Sequence, residues 1–236
     1  MIRAASYNIR KSVGLDRKRD PRRILAVLNE IKADVIALQE VDSRVGKRLS
    51  TIDPALISEE TDLKIVPVAI RPDSIGWHGN AILVRKDAEI SAARRHELPV
   101  LEPRGAVSAD IRLNGAEFRV IGMHLSLLKR FRERQITAIG EQLDDLANDL
   151  PTIVMGDTNE WRATGSLSAL PPQFKVATPG PSFHSSQPIA SLDRIILCDQ
   201  LDLHSGEVHK SDLSRRASDH LPIWADLSVR TETIGA

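Results

Sequence analysis

Alternating apolar and polar positions, broken by short wholly apolar runs, dominate this chain and recur at 2–9, 34–39, 64–70, 80–85, 105–113, 116–123, 152–156, 192–197 and 221–229. Each such stretch predicts a strand. Between the first two, Asp20-Pro21 supplies a capping acid and a first-turn proline, and Ile24, Val27, Leu28 and Ile31 then share one helical face. A second helix is predicted from about Arg130 to Asn148, with Phe131, Gln135, Ile139, Leu143 and Leu146 along one stripe. Asn114-Gly115, between two strand-like runs, is a hairpin signal and makes the middle of the chain antiparallel. The Gly-, Pro- and Ser-rich segment 158–190 reads as loops with one short helix, and residues 230–236 as a frayed tail. Strands running in both directions with few helices predict an α/β chain of two mixed sheets packed face to face, helices outside.

Composition narrows this picture without choosing a substrate. The 236 residues are 42% hydrophobic, enough for one core, and with no linker or repeat a single domain over 1–236 is expected. Lys plus Arg and Asp plus Glu both number 32, so any affinity for a polyanion must come from a local patch. The 3% aromatic content argues against an extended base-stacking platform for single strands. Cys198 is the only cysteine, which excludes an internal disulfide and a thiolate zinc cluster, and its apolar surroundings predict burial. The first ten residues already read as strand and no apolar run approaches the ~18 residues of a membrane span, so a cytoplasmic protein without membrane insertion is expected.

The chemistry-bearing residues fall at the ends of the apolar runs. Asn8 ends the first and Glu40 the second; an amide oxygen beside a carboxylate suits a hard divalent cation. His124 follows the strand ending at 123. The run 152–156 leads into Gly156-Asp157-Thr158-Asn159, a turn that places charge against an apolar strand. Asp193-Arg194 interrupts an apolar strand, where a buried salt bridge is the plain alternative, and Ser218-Asp219-His220-Leu221-Pro222 precedes the last strand. Taken singly, each is also consistent with a cap, an edge residue or a structural histidine.

Taken in order, Tyr7-Asn8-Ile9-Arg10, Leu38-Gln39-Glu40-Val41, Gly79-Asn80-Ala81-Ile82-Leu83, His124-Leu125, Gly156-Asp157-Thr158-Asn159, Leu192-Asp193-Arg194-Ile195 and Ser218-Asp219-His220-Leu221-Pro222 resemble the endonuclease/exonuclease/phosphatase superfamily, across residues 2 to 229. The resemblance implies a four-layered α/β/β/α sandwich with the active site at one end, and a metal-dependent hydrolase of phosphoric esters. It implies that Glu40, helped by Asn8, holds magnesium. Asp157, oriented by Asn159, would position or deprotonate the attacking water. Asp219 with His220 would bind phosphate or a second metal, and Asp193 would support His124 as acid or charge stabiliser. Manganese is the expected substitute metal; an oxygen-rich set disfavours zinc.

Arg10, Arg44 and Arg104 adjoin these motifs and suit bidentate recognition of phosphate oxygens, with a surface ion pair as the alternative for each. Trp77-His78-Gly79-Asn80 resembles the stretch lining the phosphate pocket, making Asn80 a candidate donor. Lys129-Arg130-Phe131-Arg132-Glu133-Arg134 suits a nucleic-acid backbone or a lipid headgroup, and equally a solvated helix face. The reaction expected is nuclease-like phosphodiester hydrolysis, with a small or lipid phosphate ester as the alternative substrate and a non-catalytic phosphate-binding module as the alternative class. No apolar hairpin for bilayer docking stands out, and Trp161 is the one aromatic placed to serve that purpose.

Overall fold

The computed structural model describes residues 1–43, 49–99, 104–144 and 149–230. One six-stranded sheet runs, in spatial order, β11 (Leu201–Val208), β12 (Ile223–Val229), β1 (Ile2–Asn8), β2 (Val35–Gln39), β4 (Asn80–Arg85) and β3 (Leu63–Ile65). The other runs β5 (Glu89–Glu97), β6 (Gly105–Leu113), β7 (Ala116–His124), β8 (Thr152–Asp157), β10 (Asp193–Cys198) and β9 (Phe174–Ala177). Near the centre of each sheet lies one parallel pair, β1–β2 and β7–β8, and the other ladders among the described residues are antiparallel.

Helices bridge both parallel pairs. In α1 (Pro21–Ile31) the Asp20 carboxylate accepts the Arg23 backbone N–H at 3.1 Å, and Lys32, at φ 53°, closes the helix. The crossover between β7 and β8 is α3 (Lys129–Asp144). Shorter helices are α2 (Pro54–Glu60), capped by Asp53, and α4 (Ser214–Ala217).

Period-two alternation builds the layers. From the first sheet, Ile2, Ala4, Val35, Ala37, Ile82 and Val84 point inward and meet Val107, Ile111, Val120, Ile153, Met155 and Ile195 of the second. The alternate residues Ala5, Tyr7, Ile36 and Leu38 pack outward beneath α1. Ile121, Met123, Val154 and Ile196 pack outward beneath Ile136 and Ile139 of α3. The four-layered sandwich is therefore observed. Cys198 is buried, and burial pushes its thiol pKa up.

The hairpin falls where Asn114-Gly115 places it, at φ 51° and 77°. Several elements were not foreseen: α2, α4, β5, β9 and β11. The strand expected at 64–70 is only Leu63–Ile65. The loop region 158–190 contains β9 as well as the short helical turn Gly165–Ala169. Residues 145–148 of the long helix and 231–236 of the tail lie outside the described residues.

A buried ionic group fastens the outer face of the second sheet. Arg119 on β7 donates to both carboxylate oxygens of its cross-strand partner Asp110 on β6, at 2.7 and 3.1 Å, and both residues are buried. Arg94 on β5 donates to the same carboxylate at 2.9 Å.

Gly156, the penultimate residue of β8, faces Met123 across the parallel ladder. Its φ is 155°, and a Cβ there would stand 1.8 Å from the Met123 carbonyl oxygen. Backbone cannot yield as a side-chain tip can, so Gly156→Ala is expected to destabilise by at least about 2 kcal/mol. Thermal denaturation should show a Tm lower by at least roughly 4 °C.

Candidate active site

Topology alone gathers the motif residues. A parallel pair delivers the C-terminal ends of both its strands to the same end of a sheet, and an antiparallel neighbour brings its N-terminal end there. Asn8 and Glu40 therefore end the β1–β2 pair beside the start of β4 at Asn80, with Asn8 in register with Gln39 and Gln39 with Asn80. In the second sheet His124 lies in register with Asp157, and Asp157 with Asp193 at the start of β10. Asp219 and His220 stand just before β12, the neighbour of β1.

Asp157 is the meeting point. Its Oδ2 accepts from Asn8 Nδ2 at 3.0 Å and lies 3.3 Å from His124 Nε2 and 3.6 Å from His220 Nε2. Its Oδ1 accepts the Asn159 backbone N–H at 2.9 Å, while the Asn159 amide donates to the Leu125 carbonyl at 2.8 Å. Asn159 adopts φ 50°, a left-handed turn that folds its N–H back onto Asp157.

Asp193 is fully buried and holds His220, not His124: His220 Nδ1 lies 2.8 Å from Asp193 Oδ2, which also accepts the Ser182 hydroxyl at 2.5 Å. The pairing implied by the resemblance is thus corrected, because the loop before β12 brings His220 over the start of β10 while His124 faces Asp157. The alternative of a salt bridge to Arg194 is not seen either, since that guanidinium donates to the Asp193 backbone carbonyl at 3.3 Å. Burial disfavours a charged imidazole at His220, but the carboxylates of Asp193 and Asp157 outweigh it and lift the pKa to about 10. At neutral pH His220 is an imidazolium held between two carboxylates.

The oxygen-bearing group lies beside it. Glu40 adopts φ 57°, and its carboxylate is paired with the Lys11 ammonium. Asp219 faces Arg10, Nε to Oδ2, at 3.3 Å. Arg10, Lys11 and Ser12 form a run of left-handed residues at φ 46°, 56° and 60°. L-residues adopt that region reluctantly, so this turn holds both cations over the carboxylates at a conformational cost. Arg10 thus reaches the site through Asp219. Lys11 was not foreseen, its only signal being its place just after Asn8-Ile9-Arg10.

Among the residues expected to touch substrate, Asn80 donates its amide to the Gly105 carbonyl at 2.9 Å, and its buried Oδ1 meets no hydrogen-bond partner among the described residues. Arg104 is half-buried directly before β6, at the same end of the sandwich. Arg44 lies outside the described residues. The basic stretch at the start of α3 divides: Lys129, Arg130 and Arg134 are exposed, whereas Arg132 is buried and donates to Glu160 at 3.1 Å and to the Leu127 carbonyl at 2.8 Å.

Two groupings suit a metal ion. Asp157, Asp193 and His220 bring one ligand atom each within 4.8 Å of one another. Glu40, Asp219 and the Asn8 amide are oxygen donors of the kind hard cations take, and the two carboxylates already attract the positive charges of Lys11 and Arg10. The oxygen set fits a divalent ion in donor chemistry and in sign of charge.

A strand-end cluster of this kind on a double-sheet sandwich defines a class, and the chain belongs to it: the model of the endonuclease/exonuclease/phosphatase family matches residues 5–220. Its members are phosphoric ester hydrolases and are generally dependent on divalent metals. The uncharacterized protein YbhP of Escherichia coli K12 is 28% identical over 170 residues, 68% of this chain. The chain spans 66% of that relative, just under two thirds of its length. An endonuclease/exonuclease/phosphatase from Bacteroides vulgatus superposes with a TM-score of 0.76 at 18% identity, covering 97% of this chain and 99% of the other. A mannosyl-6-phosphatase from Bacteroides thetaiotaomicron gives 0.74 at 18% identity, covering 97% and 100%. These two share the fold.

Proposed function

We propose that this protein is a magnesium-dependent phosphodiesterase in which water attacks phosphorus in line. The observation that carries the reading is the Asp193–His220–Asp157 arrangement, a buried imidazole hydrogen-bonded to one carboxylate and facing a second at the strand-end rim. A divalent ion held by Glu40, with Asn8 and Asp219 close by, would supply a Lewis acid for a phosphate oxygen. Asp157, fixed by Asn159 and Asn8, orients the water and takes its proton. The His220 imidazolium faces the charge that develops on the equatorial oxygens, and it is the proton carrier for the departing oxygen. Arg10, which faces Asp219, and Arg104, just before β6, would steady the phosphate.

The test uses bis(p-nitrophenyl) phosphate and p-nitrophenyl phosphate, each with magnesium and with chelator. Metal-dependent diester turnover is expected, falling at least about 100-fold in Glu40→Gln and Asp157→Asn. Preference for the monoester would replace this reading with a phosphatase, and turnover indifferent to chelator would remove the metal.

A further inference from the structure

Eight large hydrophobic side chains are exposed among the described residues, and four of them stand around the candidate active site: Leu127 at 64%, Leu128 at 49%, Trp161 at 63% and Ile189 at 75%. They come from three separate loops, after β7, after β8 and before β10, and a continuous set of contacts ties those loops together. Asn159 holds the Leu125 carbonyl, and Arg132 joins the Leu127 carbonyl to Glu160, whose other oxygen accepts the Arg162 N–H at 3.0 Å. The Trp161 ring lies edge-on to Phe183 at 6.1 Å, the Phe183 carbonyl accepts the Ile189 N–H at 2.9 Å, and the Phe183 ring lies 4.9 Å from that of His220. The apolar residues therefore share the rim with the charged imidazole.

Cations flank them. Lys129, Arg130 and Arg162 are exposed at adjoining positions, and the Arg130 guanidinium lies over the Phe131 ring. Lys129 pairs with Glu133 one helical turn on, at 3.3 Å, in an exposed contact of little strength. Apolar tips including an indole, interleaved with Lys and Arg, match an anionic bilayer: the tips enter the headgroup region and the cations meet lipid phosphates. A nucleic acid would use the cations but would leave Leu127, Leu128 and Ile189 without a role. The loops carrying them are also separate along the chain, so no contiguous hairpin pattern announces the surface in the sequence.

We infer that the rim formed by Leu127, Leu128, Trp161 and Ile189, with Lys129, Arg130 and Arg162, docks the protein on an anionic phospholipid bilayer, presenting the active site to a membrane-held phosphodiester. The docking surface stands on these residues alone; the substrate class rests on the proposed phosphodiesterase reading. Reversible peripheral binding is what such a surface supports, and no helix among the described residues is long and apolar enough to cross a membrane.

Flotation with phosphatidylcholine vesicles, and with vesicles containing 30% phosphatidylglycerol by design (about one anionic lipid in three, enough for a negative surface potential), tests this in chelator, where turnover is blocked. The protein should float with the anionic vesicles and not with the neutral ones, with a blue shift in tryptophan emission. Leu127→Ser/Ile189→Ser should bind about tenfold more weakly, as should Lys129→Gln/Arg130→Gln, with unchanged circular dichroism and unchanged hydrolysis of the soluble diester. Absence from the anionic vesicles, or binding indifferent to the serine pair, would overturn the inference. So would retention on duplex DNA in place of vesicles. Soluble-diester turnover persisting in any of these cases would leave the hydrolase reading standing by itself.

Discussion

His220→Asn is expected to lower kcat/KM about 1000-fold at pH 7, because the substitution keeps a planar, hydrogen-bonding side chain but removes the titratable proton and the charge that the site is built to hold. The charge is held by Asp193 at 2.8 Å and Asp157 at 3.6 Å, so Asp193→Asn should also lower the rate, by roughly 100-fold, and with a diagnostic difference. With one carboxylate gone, burial weighs more against the imidazolium and its pKa falls. The alkaline limb of the rate profile should then move to lower pH in Asp193→Asn. An unmoved limb would mean that His220 is not the titrating acid. Stability follows the same linkage. Since the folded pKa of about 10 lies above the unfolded value of about 6.5, the stabilisation is complete below about pH 6.5 and is lost as pH rises towards 10. Denaturant unfolding in chelator should therefore show wild-type stability declining across that window more steeply than that of His220→Asn.

Asp110→Ala is expected to be the most damaging substitution for the fold, at about 3–5 kcal/mol, with Tm lower by roughly 10 °C. Arg119 would lose the carboxylate that its Nε and Nη2 meet, and Arg94 would lose the same partner. Replacing both members of the central pair, as Asp110→Leu/Arg119→Met, should restore much of the loss, because the buried guanidinium is removed together with its carboxylate and only the half-buried Arg94 loses that partner. If the double variant were as unstable as the single one, the cost would lie in packing and not in the charge. Burial raises the pKa of Asp110, but the hydrogen bonds from Arg119 and Arg94 outweigh it and hold the pKa below the usual carboxylate range. Its contribution to stability is present above the unfolded pKa and is lost as pH falls through the folded one.

The sheets were legible in the sequence at their centres and poorly so at their edges. β1, β2, β4, β6, β7, β8, β10 and β12 were all foreseen, and all have a neighbour on both sides, so that burial writes itself into apolar runs. The elements missed or misplaced, β3, β5, β9 and β11, are the four edge strands. An edge strand has one free side and often an exposed face; β5 reads Glu-Ile-Ser-Ala-Ala-Arg-Arg-His-Glu, and charges there discourage pairing with other chains. The site divides in a similar way. Asn8, Glu40, His124, Asp157, Asn159, Asp193, Asp219 and His220 stand out because polar groups at the ends of apolar strands break a local pattern. Their pairing did not, since Asp193 and His220 are joined by a loop crossing that no local pattern records. Ser182 and Lys11 are ordinary residues in polar surroundings until the fold sets them against Asp193 and Glu40.

Because the motif residues sit on strand ends or immediately beside them, the lengths of the segments spanning that rim are nearly decoupled from the framework that aligns the reacting groups. A doubling of loop length costs only about 0.6 kcal/mol in closure entropy. Such an architecture is evolvable in a particular sense: insertions and deletions on one end can reshape what is admitted, while the hydrolytic machinery and the stability of the core are inherited unchanged.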